Sequence, residues 1–175
     1  AQSVRDYDSN AEISRTFLQE SNNSMHSITI DESHDCNVVE IESDEPQVVC
    51  HVDITVESST ALQIIFKGNC NWFGIHITSD IKANSNLFVG ILNDLSKECK
   101  LLRCEDWNIH RDSHLTYGEL SIGGGYAKSD IRTTLSGSNA GLIQSIAVIT
   151  EEKRHDDHHI EILHKSGHTN SSLTV

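Results

Sequence analysis

Short apolar runs separated by turn-forming residues begin roughly every ten to fifteen positions along this chain, and that spacing restricts the fold more than any other feature. The clearest turn signals are Ser43-Asp44-Glu45-Pro46, Gly68-Asn69, Asn84-Ser85-Asn86, Gly123-Gly124-Gly125 and Gly137-Ser138-Asn139. A crossover between parallel strands that carries a helix needs about a dozen residues of its own, so an alternating helix and strand fold does not fit. Between the turns lie apolar runs or alternations at 27–30, 37–41, 47–56, 62–66, 72–77, 87–92, 100–109, 115–122, 130–135, 142–149 and 159–163. Val, Ile and Thr supply 40 of the 175 residues and proline occurs once, a bias toward the pleated, half-buried surface of a sheet. Short strands at this spacing build an antiparallel sandwich or a solenoid of stacked coils. The scarcity of aromatics and of tight Asn-Gly or Asp-Gly turns favours the solenoid, although no exact repeat is visible.

One segment reads as a helix. Ser9 or Asn10 caps the stretch Ala11 to Glu20, whose apolar stripe is Ile13, Phe17 and Leu18. The expected division is a helical segment over residues 1–24 and a single strand-rich body over 25–175. With 13 Lys and Arg against 26 Asp and Glu, the net charge of -13 argues against nucleic acid as a partner. No run approaches the length of a membrane helix, and the polar, acidic start has no apolar leader core. Five cysteines at irregular spacing do not make a disulfide framework, which points to a reducing cytoplasm.

A set of ordered motifs occupies the second half. Leu115-Thr116-Tyr117-Gly118-Glu119-Leu120 leads into Ile122-Gly123-Gly124-Gly125, then Ser129-Asp130-Ile131 and Leu135-Ser136-Gly137-Ser138-Asn139-Ala140. After a spacer come His155-Asp156-Asp157-His158, His164 and His168-Thr169-Asn170-Ser171. In order and spacing this resembles the core of the SufB/SufD family. The positions that carry the resemblance are Gly124, Gly125, Asp130, Gly137, Ala140, Asp157, Thr169 and Ser171. Upstream, Cys104-Glu105-Asp106-Trp107-Asn108 is similar to a family strand with Gln-Asn-Trp, and the run from Leu62 to Cys70 is similar to a SufB segment ending in Gly-Cys.

The resemblance implies a right-handed parallel β-helix. It implies a scaffold, without turnover of its own, that receives sulfur and iron for a transient iron-sulfur cluster. Its expected partners are a SufC-type ATPase and a SufB/SufD-type subunit in a homodimer or heterodimer. Lys128-Ser129 departs from the family's Arg before the Asp, and Ser138-Asn139 departs from its Glu-Gly. Family members continue through further strands and a helical segment, so the resemblance places much of the subunit and ATPase contacts beyond Val175.

Cys70, after Gly68-Asn69 at the end of an apolar strand, is the candidate sulfur acceptor, on the expectation of a reachable thiol with Lys67 nearby. Candidate metal or cluster residues are Cys104, His159, Glu161 and His164. His159 and Glu161 share one face of a strand, and a neighbouring coil could complete a site. Cys99 and Cys104 read as core thiols. Asp157, read without the resemblance, is a buried acceptor of backbone donors at a turn, and the segment His168 to Ser171 is a turn. The triglycine is followed by no Lys-Ser or Lys-Thr and opens no helix, so it is a turn and not a phosphate loop. The alternatives are a structural or interaction solenoid, and a carbohydrate-active β-helix that would use acids such as Asp156 and Asp157.

Overall fold

The computed structural model describes residues 24–30, 36–151 and 153–175; the helix expected at residues 11–20 lies outside them. Among the described residues twelve strands follow in order: β1 (Ser24–Ile30), β2 (Cys36–Glu42), β3 (Gln47–Val56), β4 (Thr60–Gly68), β5 (Trp72–Ile81) and β6 (Asn86–Leu95), then β7 (Lys100–Ile109), β8 (His114–Ser121), β9 (Tyr126–Leu135), β10 (Gly141–Val148), β11 (His155–His164) and β12 (Asn170–Thr174). Odd-numbered strands form one six-stranded sheet and even-numbered strands the other. Every neighbouring pair is parallel, with partners 25 to 29 residues apart. Each coil therefore gives one strand to each sheet. This is a parallel β-solenoid, and the sandwich alternative is excluded.

The turns read from the sequence fall at both corners of the coil. Segments 43–46, 69–71, 96–99 and 122–125 stack at the first corner, and 57–59, 82–85, 110–113 and 136–140 at the second. The spacing in the sequence is thus half a coil. At the second corner Asn84, Asp112, Asn139 and His168 all take left-handed φ values of 57° to 64°. Asn, Asp and His are the side chains that tolerate this conformation best, so the corner repeats without an exact sequence repeat.

Period-two alternation sends one set of side chains into the lumen between the sheets. Val52, Ile54, Phe66, Phe73, Ile75, Ile77, Ile91 and Ile109 are buried there, each stabilising the fold by about 1.5–3 kcal/mol through removal from water. The expected runs extend at several ends: 72–77 becomes the first part of β5, and the polar stretch from His155 joins β11.

One expectation is corrected outright. The segment from Asn170, read as a turn, is strand β12, pairing with β10 from Gly141↔Asn170 to Ser145↔Thr174. Its sequence Asn-Ser-Ser-Leu-Thr is exposed throughout and carries little strand signal. The ladder offered by β10 imposes the conformation. Among the described residues no helix is long and apolar enough to cross a membrane.

Candidate functional site: a charged lumen, a thiol pair and an outer histidine row

Strand β7 breaks the apolar rule. Its inward residues are Leu101, Arg103, Glu105, Trp107 and Ile109, so two charges share the parity of the core positions. Arg103 and Glu105 are both 0% exposed. In β8 the inward set Leu115, Tyr117, Glu119 and Ser121 places a second carboxyl opposite them. Arg103 Nη2 donates to Glu119 Oε2 at 2.6 Å, and its Nε lies 3.2 Å from Glu105 Oε1. Trp107 Nε1 donates to Glu105 Oε2 at 2.6 Å, and the Tyr117 hydroxyl lies between the two carboxylates, 3.0 Å from Glu119 and 3.3 Å from Glu105. The Phe66 ring closes one side, 6.0 Å from the guanidinium.

From Glu119 the network runs along the lumen. His158 Nε2 lies 3.2 Å from Glu119 Oε1, His158 Nδ1 lies 3.5 Å from Asp156, and Asp156 pairs with Arg154. Arg154 in turn donates to Ser121 Oγ and to the carbonyl of Ile149, beside a groove of about 510 Å³ at the first corner. Electrostatics separates the carboxyls. Burial would push Glu119 up, but Arg103 and His158 outweigh it and hold the group down at about 2. Burial raises Glu105 and Asp156, with Arg103 and Arg154 respectively offsetting only part of the effect. Tyr117 is pushed well above its ordinary value by burial and the adjacent carboxyls. Among the described residues, Arg103 Nη1, Ser129 Oγ and both polar ends of Gln144 have no hydrogen-bond partner, which leaves this part of the lumen with unmet polar demand.

Cys70 and Cys99 meet at the first corner, their sulfur atoms 2.7 Å apart. The expectation of a reachable Cys70 thiol is not met, since it is 3% exposed and burial raises its pKa. Lys67 reaches away to Glu40 at 2.6 Å and supplies no positive charge to the thiol. The triglycine is a turn, as expected, and it caps this corner. A Cβ on Gly123 would lie 2.2 Å from Leu95 N, and one on Gly125 would lie 2.3 Å from Lys97 O. Gly124 takes φ +80°, and Gly125 N donates to Cys99 O at 3.0 Å.

On the outer face of the odd sheet, register stacks His51, His76, Cys104, Asp130 and His159 in one row. Cys104 and His159 therefore share a row, two strands apart, with Asp130 between them and 2.9 Å from His159 Nδ1. Glu161 lies on the same face but pairs with Arg132 at 2.6 Å. His164 is at the second corner, where its ring contacts Thr169 Oγ1 at 2.7 Å and Ser171 Oγ at 3.1 Å. The four metal candidates are not brought together, and among the described residues no group of three or more His, Cys, Asp or Glu side chains converges on a metal position. Cys104 is buried on this outer face against Leu102 and Val49, while Cys99 sits in the corner before β7. Asp157, read as a buried turn acceptor, is mid-strand and outward, paired with Lys128 at 3.0 Å. Gly137 fits tightly against Arg111, and Ala140 is fully buried beside it.

The lumen cluster escaped the reading of the sequence, although its signal was present. Within 100–109, period two places Arg103 and Glu105 on the face of Leu101, Trp107 and Ile109. No curated protein and no solved structure matches the chain. Residues 38–175, which hold the lumen cluster, the thiol pair and the outer row, match the SufBD core domain of the SUF system for FeS cluster assembly, and the chain belongs to that family.

Proposed function

We propose that the chain is a cytoplasmic scaffold of a Suf-type assembly complex, receiving sulfur and iron with a SufC-type ATPase and a SufB/SufD-type partner subunit, and without turnover of its own. The observation that carries this reading is the charged lumen. Buried ion pairs contribute little net stability compared with well-packed apolar side chains, so stability alone is a poor reason to keep Arg103, Glu105 and Glu119 at the centre of a solenoid. Arg103 Nη1, with no hydrogen-bond partner among the described residues, suits an anionic sulfur species. Cys70 is the candidate acceptor, and loading it requires its corner to open. The cluster is cargo, held transiently. Because the four candidate ligands do not converge within this chain, a partner subunit would complete its coordination.

Anaerobic reconstitution with iron and sulfide tests this, on wild type, Cys70→Ser and Arg103→Met, alongside capture of a SufC-type ATPase. A sulfide-dependent visible band that weakens in the variants, with ATPase capture, supports the scaffold. A folded protein that takes up neither cargo nor ATPase, alone or with a SufB/SufD-type subunit, overturns it and favours a structural solenoid. A carbohydrate-active reading has less support, because Asp156 is buried against Arg154 and Asp157 points to the opposite face.

A further inference from the structure

Two consecutive coils present one cysteine each at the same corner, and the surrounding backbone fixes their approach. Ser96 N donates to Gly68 O at 3.0 Å, Lys100 N to Asn71 O at 3.0 Å, and Ser96 Oγ to Asn69 Oδ1 at 2.9 Å. These bonds bracket Cys70 and Cys99 on both sides. Stacked coils of a solenoid lie about 4.8 Å apart, within the Cα separation that a disulfide spans. The two sulfurs are in contact, and both are free thiols. Cys50, by contrast, points its thiol at the Gly74 carbonyl, 3.8 Å away.

We propose that Cys70 and Cys99 form an oxidisable dithiol that closes into a disulfide between consecutive coils and reopens on reduction. The oxidant must be small, because Cys70 is 3% and Cys99 0% exposed; hydrogen peroxide is of the right class. Cys70, the less buried of the two residues, attacks one peroxide oxygen, and its thiol proton passes to the departing hydroxide. An S–O bond forms, the O–O bond breaks and one water leaves. Cys99 then attacks the Cys70 sulfur, the S–S bond forms, the S–O bond breaks and a second water leaves. Two thiols supply the two electrons that reduce one peroxide to two waters. An external dithiol returns the pair to the reduced state by exchange. Burial raises both thiols, which makes the reaction slow and keeps the pair reduced until oxidant accumulates. The closed state removes the thiol assigned above to sulfur, so it switches the acceptor off; only this consequence rests on the proposed function.

Peptide mapping tests the dithiol without any variant. Trypsin places Cys70 in the peptide 68–82 and Cys99 in 98–100, so their link joins two separate fragments. Folded protein is treated with peroxide, blocked with N-ethylmaleimide under denaturation, digested and weighed without reductant. The expected result is a 68–82 to 98–100 cross-link that dithiothreitol removes, and a melting temperature raised by about 5–10 °C in the oxidised form. Cys70→Ala and Cys99→Ala should each abolish the peroxide-dependent shift. Recovery of both cysteines as maleimide adducts, their oxidation without that cross-link, or their linkage to other cysteines would overturn the proposal. Sulfane sulfur is measured separately by cyanolysis on protein that is first reduced, freed of reductant and then incubated anaerobically with inorganic polysulfide, which hands one sulfur to a thiolate and leaves as a shorter polysulfide. A cross-link without sulfur loading leaves the dithiol standing and removes Cys70 as acceptor; sulfur loading without the cross-link does the reverse.

Discussion

Arg103 has no exposed surface and holds its charge between Glu105 and Glu119, so its neighbours depend on it more than the fold depends on the pair. Arg103→Ala strands two carboxyls in the lumen and should cost about 3–5 kcal/mol, read as a lowered denaturation midpoint. The two carboxyls should respond to pH in opposite senses. Glu119 is held at about 2, below its ordinary 4.5. Its contribution, on the order of 3 kcal/mol, is present above pH 4.5 and lost as pH falls toward 2. Glu105 is raised by burial, so it favours folding while protonated and loses that contribution as pH rises through its folded value. Glu119→Gln should therefore destabilise at pH 7 and flatten the acid limb. Glu105→Gln, which keeps an acceptor for Trp107, should change stability at pH 7 by less than about 1 kcal/mol, or raise it. Equal losses in the two variants would contradict this division of roles.

At the scale of an element, the corners impose a steric requirement that the strands do not. Gly125 lies where a methyl group would meet the Lys97 carbonyl at 2.3 Å, while a Cβ added at Gly90 in β6 would meet nothing within 4 Å. Gly125→Ala should cost about 1–3 kcal/mol because backbone, not a flexible side-chain end, must move. Gly90→Ala should be neutral or stabilise by up to about 1 kcal/mol, since it removes chain entropy from the unfolded state. Chemical denaturation of the two variants compares them directly. The triglycine is thus a packing device, and its small size also brings Gly125 N within reach of the Cys99 carbonyl.

The whole molecule is a one-dimensional stack, so its stability is a sum over coils and their interfaces. The central coils carry buried rows on both sheets, whereas all five residues of β12 are exposed. Hydrogen exchange should be slowest in β5, β7 and β9 and fastest in β12. Leu173→Asp, at a side chain 44% exposed, should shift the melting temperature of the stack by no more than about 2 °C. A large loss from that substitution would show that β12 supports the coils beneath it, contrary to the additive stack.

The alternation of β-branched side chains and the closely spaced turns determined the strands, and the ordered motifs determined the family, because each is a local pattern. Neighbours along the chain, however, do not state which strand lies beside which. Stacking at 25 to 29 residues decided that Asn170–Thr174 is a strand and that Cys70 faces Cys99. It also decided that His159 and Glu161 answer to Asp130 and Arg132. Parity already set Arg103 and Glu105 inward, but only the opposite sheet, with Tyr117 and Glu119, and β11, with His158, turned two misplaced charges into a network. Alternation fixes which way a side chain points, and the coil period fixes what it meets.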